Sequence, residues 1–247
     1  MNTKKVLALV AAAGIIAAAS TAFAAKSIVG TKHDLSFDSG NGLTLGSNTQ
    51  ICIYCHTPHT AVKANVLWNR SDSGQTFTLY SGVGMENVSY KTGLTADSTS
   101  LFCMSCHDGA TDMSASSVQH GTKTGLTTGV VTSTAALSKS LKNGLGAGTD
   151  GNLSRTHPIN FPVGATNSQA DLWVGSGAYM GNGASGTAAT TITGTKGFPL
   201  FRSARDIAGQ TRTLECGSCH AVHDSENKPF LRYTMDKSTL CLGCHNK

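Results

Sequence analysis

The chain has 247 residues, of which 39% are hydrophobic, 6% aromatic and 13% charged, with 28 glycines and a formal net charge of +5. That balance excludes a large all-protein core, and so mild a basicity is no argument for a nucleic-acid partner. The unusual counts are eight cysteines and nine histidines.

The first residues read as a secretory signal. Lys4 and Lys5 make a basic start, Val6 to Ala19 is apolar, and Ala22-Phe23-Ala24 is a small-x-small cleavage site, so 1–24 is expected to be removed. The competing reading is an uncleaved anchor, but the Ala/Gly richness and the cleavage site weigh against it. No later stretch reads as a membrane span, so stable membrane insertion is not expected.

Four Cys-x-x-Cys-His motifs follow: Cys52-Ile53-Tyr54-Cys55-His56, Cys103-Met104-Ser105-Cys106-His107, Cys216-Gly217-Ser218-Cys219-His220 and Cys241-Leu242-Gly243-Cys244-His245. Thiols at i and i+3 reach the two vinyl-derived carbons on one porphyrin edge, and the adjacent histidine offers its imidazole to the iron. Four disulfides or zinc held by paired thiols would also use eight cysteines. Neither requires a histidine after every second one. A hydroxyl residue stands three places before each first cysteine (Thr49, Ser100, Thr213, Ser238), which predicts an N-capped short helix at each motif.

Four covalent haem c groups would reshape the composition argument. They would bring up to eight propionate charges, so the weakly basic polypeptide reads as partial compensation. Removing 24 residues leaves 223, or about 56 per haem, few enough for a haem stack to serve as the core. The expected fold is mostly irregular coil with short helices at the haem motifs and few short strands.

Five histidines remain as sixth ligands: His33, His59, His120, His157 and His223. His59 and His223 each follow a proximal histidine by three residues and cannot easily wrap to the far face of the same haem, so each should serve a neighbouring one. His157 precedes Pro158 and should be extended, suiting a loop ligand. A bond from His33 to iron would tie down a terminus that otherwise frays. His120, in a polar stretch, is the expected spare. With His33, His59, His157 and His223 joining His56, His107, His220 and His245, every iron would be bis-histidine and low-spin. Methionine, which would raise the potential, is not needed. Closed irons leave no catalytic position, so an enzyme is not expected.

The motif spacing divides the mature chain into a two-haem segment 25–120, an insert 121–200 rich in Gly, Ser, Thr and Ala that carries His157, and a two-haem segment 201–247. Short strands are expected at Gly129 to Thr132 and Thr190 to Thr193. No internal repeat beyond the motif is evident.

Several residue groups together resemble one family: Thr31-Lys32-His33-Asp34-Leu35-Ser36, the run from Cys52 to His59, Leu67-Trp68-Asn69-Arg70, Leu153-Ser154-Arg155-Thr156-His157-Pro158, and the closing motif. This is similar to the extracellular tetrahaem c-type cytochromes of metal-reducing bacteria, including the OmcE-like nanowire subunits. The resemblance implies a continuous stack of bis-His haems and subunits polymerised end to end, with His33 the candidate to ligate a haem of the next subunit. It further implies redox partner cytochromes and extracellular acceptors such as metal oxides or electrodes. The alternatives are a monomeric periplasmic electron shuttle and a multihaem reductase.

Overall fold

The computed structural model describes residues 27–35, 50–57, 59, 65–80, 93–108, 151–163, 179–181, 197–207 and 210–245, with the backbone alone for 203–207 and 210–211. The signal segment, His120 and both expected strands lie outside these residues. Among them, regular structure is sparse, as the Gly-rich, weakly hydrophobic composition requires. Every haem motif nonetheless forms a helical turn: a 3-10 helix at Ile51–Tyr54, α1 at Ser100–His107, α2 at Cys216–Cys219 and α3 at Thr239–Leu242.

The expected hydroxyl caps are not how these turns are closed. Residues Gln50 and Thr99, and Ser238 in the left-handed region, occupy the caps of the first, second and fourth turns without a side-chain cap bond. The third has a capping box made by Glu215 and Ser218. Ser100 and Thr213 spend their hydroxyls on Glu215 instead.

Strands β1 (Phe161–Pro162), β4 (Phe201–Ile207) and β5 (Gln210–Leu214) form an antiparallel sheet in the order β1-β5-β4, with Thr213 opposite both Pro162 and Phe201. Proline is tolerated in β1 because that strand is an edge. Strands β2 (Tyr179–Met180) and β3 (Phe198–Pro199) form a two-stranded ribbon. Residues 151–163 weave the segments together: Thr78 and Asn152 form a parallel bridge, while Asn160 donates to the Leu214 carbonyl at 2.6 Å. Gly151 has φ +68, and a Cβ there would fall 2.3 Å from the Thr76 carbonyl oxygen, so only glycine lets the strands approach.

Among the described residues, two small apolar clusters are packed. Val163, Met180, Phe198, Leu200 and Leu214 pack with Phe161, Tyr233, Leu240 and Cys244. Phe77, Leu79, Met104 and Leu153 pack with Leu94, Leu101, Ile159 and Cys216. Each cluster therefore ends on a motif cysteine. Met104 and Met180 are spent on packing, and Met235 is exposed.

Candidate haem centres

Local backbone bonds aim the motifs. The amide of His56 bonds back to the Cys52 carbonyl at 2.8 Å, His220 to Cys216 at 3.0 Å and His245 to Cys241 at 2.9 Å. One helical turn thus puts both thiols and the imidazole on neighbouring positions, the geometry that i, i+3 and i+4 spacing allows. No disulfide joins any of the eight cysteines. Burial pushes the Cys55 and Cys244 thiols up to about 12 and Cys219 up to about 11, and it raises Cys106 as well. Arg70, wholly buried, lies close enough to Cys55 and Cys106 to pull both the other way, and so sits between the first two motifs. The Cys103 thiol is raised first by its contact with the Cys216 thiol and then by burial, so the second and third attachment points meet.

The first and third motifs share a second layer of structure that their sequences conceal. After the first, Thr57 donates its amide to the Leu67 carbonyl at 2.9 Å and Asn69 donates to Cys55 at 2.9 Å. After the third, Ala221 donates to Phe230 at 2.7 Å and Arg232 to Cys219 at 2.9 Å. In each unit the proximal histidine forms an antiparallel bridge with the returning strand, His56 with Trp68 and His220 with Leu231. The same return loop meets the imidazole, His56 Nδ1 donating to the Val66 carbonyl at 2.6 Å and His220 Nδ1 to the Pro229 carbonyl at 3.1 Å. His157 Nδ1 donates to its neighbour's carbonyl, Pro158, at 2.9 Å. A proton fixed on Nδ1 leaves Nε2 as a lone-pair donor, which is what a metal-ligating histidine needs.

Among the described residues, three pairs of imidazoles lie close together. His33 and His107 have ring centres 6.0 Å apart at 78°, His56 and His223 6.0 Å at 35°, and His157 and His245 6.3 Å at 74°. Two metal–nitrogen bonds of about 2 Å, plus about 1.1 Å from each nitrogen to its ring centre, separate two coaxial imidazoles by about 6 Å. The spacing therefore fits a single iron between each pair. His223 belongs to the third motif's loop yet faces His56 of the first, as the three-residue spacing requires.

His33 lies beside His107 of its own chain and stacks on Phe230 at 4.4 Å, where the sequence led us to expect a terminus reaching for a neighbour. The short turn that holds it is closed by Asp34, whose carboxylate accepts the Gly30 amide at 2.8 Å. Burial, followed by the imidazoles of His107, His220 and His223, holds its pKa down to about 4, so the ring is neutral as a ligand must be. Burial lowers His107 likewise. His59 is exposed, and among the described residues no ring contact joins His59 or His220 to another imidazole. Nor do those residues hold a group of three or more His, Cys, Asp or Glu able to cage a bare ion, as a zinc site would require. The buried indole Nε1 of Trp68 has no hydrogen-bond partner, a donor that a haem propionate would satisfy.

The family described as "Doubled CXXCH motif" matches residues 209–247, which span the third and fourth motifs. No curated protein matches the chain. The match supports a multihaem c-type cytochrome with covalently bound haem c and a role in electron transfer. No helix of the described residues is long and apolar enough to cross a membrane.

Sequence reading singles out the motif residues and, as candidate ligands, the three histidines that the structure sets beside motif histidines. It assigns no role to Glu215 or Arg70, both buried; Arg70 enters only within the Leu67 to Arg70 run, and Glu215 is marked by its burial alone.

Proposed function

We propose that the chain is a tetrahaem cytochrome that conducts electrons, with one haem c on each motif: Cys52/Cys55, Cys103/Cys106, Cys216/Cys219 and Cys241/Cys244. The observation that carries this reading is the trio of imidazole pairs at 6.0 to 6.3 Å, each joining one motif histidine to one of His33, His157 and His223. A haem iron held this way supplies one-electron chemistry and leaves no position for a substrate. The residues' part is to orient the His56, His157 and His220 imidazoles through their Nδ1 bonds, to keep the thiols' surroundings apolar, and to place successive attachment points side by side. His59 would supply the iron facing His220.

The same reading extends to an end-to-end filament outside the cell that delivers electrons to metal oxides, electrodes or partner cytochromes. With His33 engaged in its own chain, the exposed His59 becomes the ligand able to reach into a second copy. Intact mass and the spectrum of the purified holoprotein should show four haems, all low-spin, and negative-stain images of cell-surface material should show filaments. Replacement of His59 by Ala should abolish the filaments and leave four haems attached. Monomers whose four haems stay six-coordinate at high dilution would instead make the protein a periplasmic shuttle.

A further inference from the structure

Glu215 is 1% exposed and stands immediately before Cys216. Its carboxylate accepts from Ser98 Oγ at 2.7 Å, from Ser100 Oγ, from Asn160 Nδ2 at 2.7 Å, from Thr213 Oγ1 at 2.7 Å and from the backbone amide of Ser218. Two of these hydroxyls are already committed as acceptors, Ser98 Oγ from the Ser100 amide at 3.2 Å and Ser100 Oγ from the Cys216 amide at 3.0 Å, so each has its own proton left for Glu215. Oε2 takes both serine protons and Oε1 an amide proton of Asn160, a ring of donors that suits the ionised form.

All five donors are neutral. Among the described residues no cation is seen to bond the carboxylate; a buried negative charge so held is expensive, and capping alone does not call for one, since the first motif folds with Ile51 at the matching position. The location supplies a reason. Ser98 and Ser100 open α1, which carries Cys103 one turn later, and Ser100 also holds the Cys216 amide. The carboxylate is thus wedged between the helices that bear the second and third attachment points.

We propose that Glu215 is a redox-tuning residue whose buried charge lowers the reduction potentials of the haems attached through Cys103/Cys106 and Cys216/Cys219. Adding an electron beside a fixed negative charge is disfavoured, and the weak screening of the interior lets that charge act over several ångströms. No proton needs to move with the electron. The inference rests on the reading that motifs two and three carry haem, which the haem count of the wild-type protein tests separately.

The experiment is a spectroelectrochemical titration of the full-length holoprotein with Glu215→Gln and, as a charge-preserving control, Glu215→Asp. Gln should move two of the four midpoint potentials to more positive values, with the other two moving less, while Asp leaves all four close to wild type. Four attached haems with unchanged potentials in the Gln variant overturn the proposal and spare the tetrahaem reading; fewer than four haems in the wild type overturn that reading itself. Should the Gln variant not retain four haems, the wild-type order decides, measured by NMR redox titration with haem methyl signals assigned to their motifs. The second and third haems titrating lowest supports the role of Glu215, and either one lying above both the first and the fourth overturns it.

Discussion

The loops that return to the first and third motifs perform one task with different residues. Both pair a backbone strand with the proximal histidine, both lend a carbonyl to its Nδ1, and both place a bulky residue, Leu67 at φ 53 and Phe230 at φ 60, in the left-handed region. Yet the matched positions differ: Thr57 against Ala221, Val66 against Pro229, Leu67 against Phe230, Asn69 against Arg232. What is repeated is the path of the main chain, dictated by the need to close over a CxxCH turn and to orient an imidazole. What varies is the lining. The first unit buries Ile53, where the third has Gly217, and the third buries Glu215, where the first has Ile51.

The largest expected effect comes from the one histidine that crosses between the units. His223 sits in the third motif's loop but faces His56, so His223→Ala should open the haem of the first motif and leave the third motif's proximal bond intact. One of the four haems should turn high-spin and bind carbon monoxide when reduced, and an additional Cys52→Ser/Cys55→Ser replacement should remove that signal. A high-spin haem that survives this second change would place His223 on a different iron and break the exchange of ligands between the units.

Much of this site is legible in the sequence and much of the scaffold is not, for a physical reason. CxxCH is a covalent requirement, so its residue types cannot drift, and the His-x-x-His spacing limits which face an imidazole can reach. The return loops are held by backbone groups that every residue possesses, so Trp68 and Leu231 can play one part without resembling each other. The strands of the insert illustrate the same limit: β1 and β3 each contain a proline and read as loop, and only their partners β5 and β2 make them strands. Glu215 lies beside Ser98, Ser100 and Asn160 because of the tertiary fold, across separations of 117, 115 and 55 residues that no local pattern reveals.

An intermediate effect is expected at the first variable position of the two motifs. A Cβ on Gly217 would lie 3.0 Å from Phe201 Cζ, whereas the equivalent Ile53 is itself the buried side chain of its unit. In the third unit the Phe201 ring fills the space that a side chain at position 217 would need. Gly217→Ala should therefore cost about 1–2 kcal/mol of overpacking, read as a lower denaturant midpoint of the holoprotein. Pairing it with Phe201→Leu should restore most of the loss, and failure to do so would mean that the ring is not what selects glycine.

The smallest effect separates shared strain from unshared contact. A non-glycine residue in the left-handed region costs on the order of 1 kcal/mol, and glycine removes that cost at both Leu67 and Phe230. Leu67 is 46% exposed and has little packing to lose. Leu67→Gly should thus leave stability unchanged or raise it by up to about 1 kcal/mol, after the entropy that glycine gives the unfolded chain. Phe230→Gly relieves the same strain but removes the ring stacked on His33 at 4.4 Å, a contact of about 1 kcal/mol beyond its area. It should destabilise the holoprotein and broaden the spectrum of the haem proposed between His33 and His107. Equal responses at the two positions would show that the ring against His33 contributes nothing, and that the two units differ in their lining without differing in how firmly they hold the imidazoles.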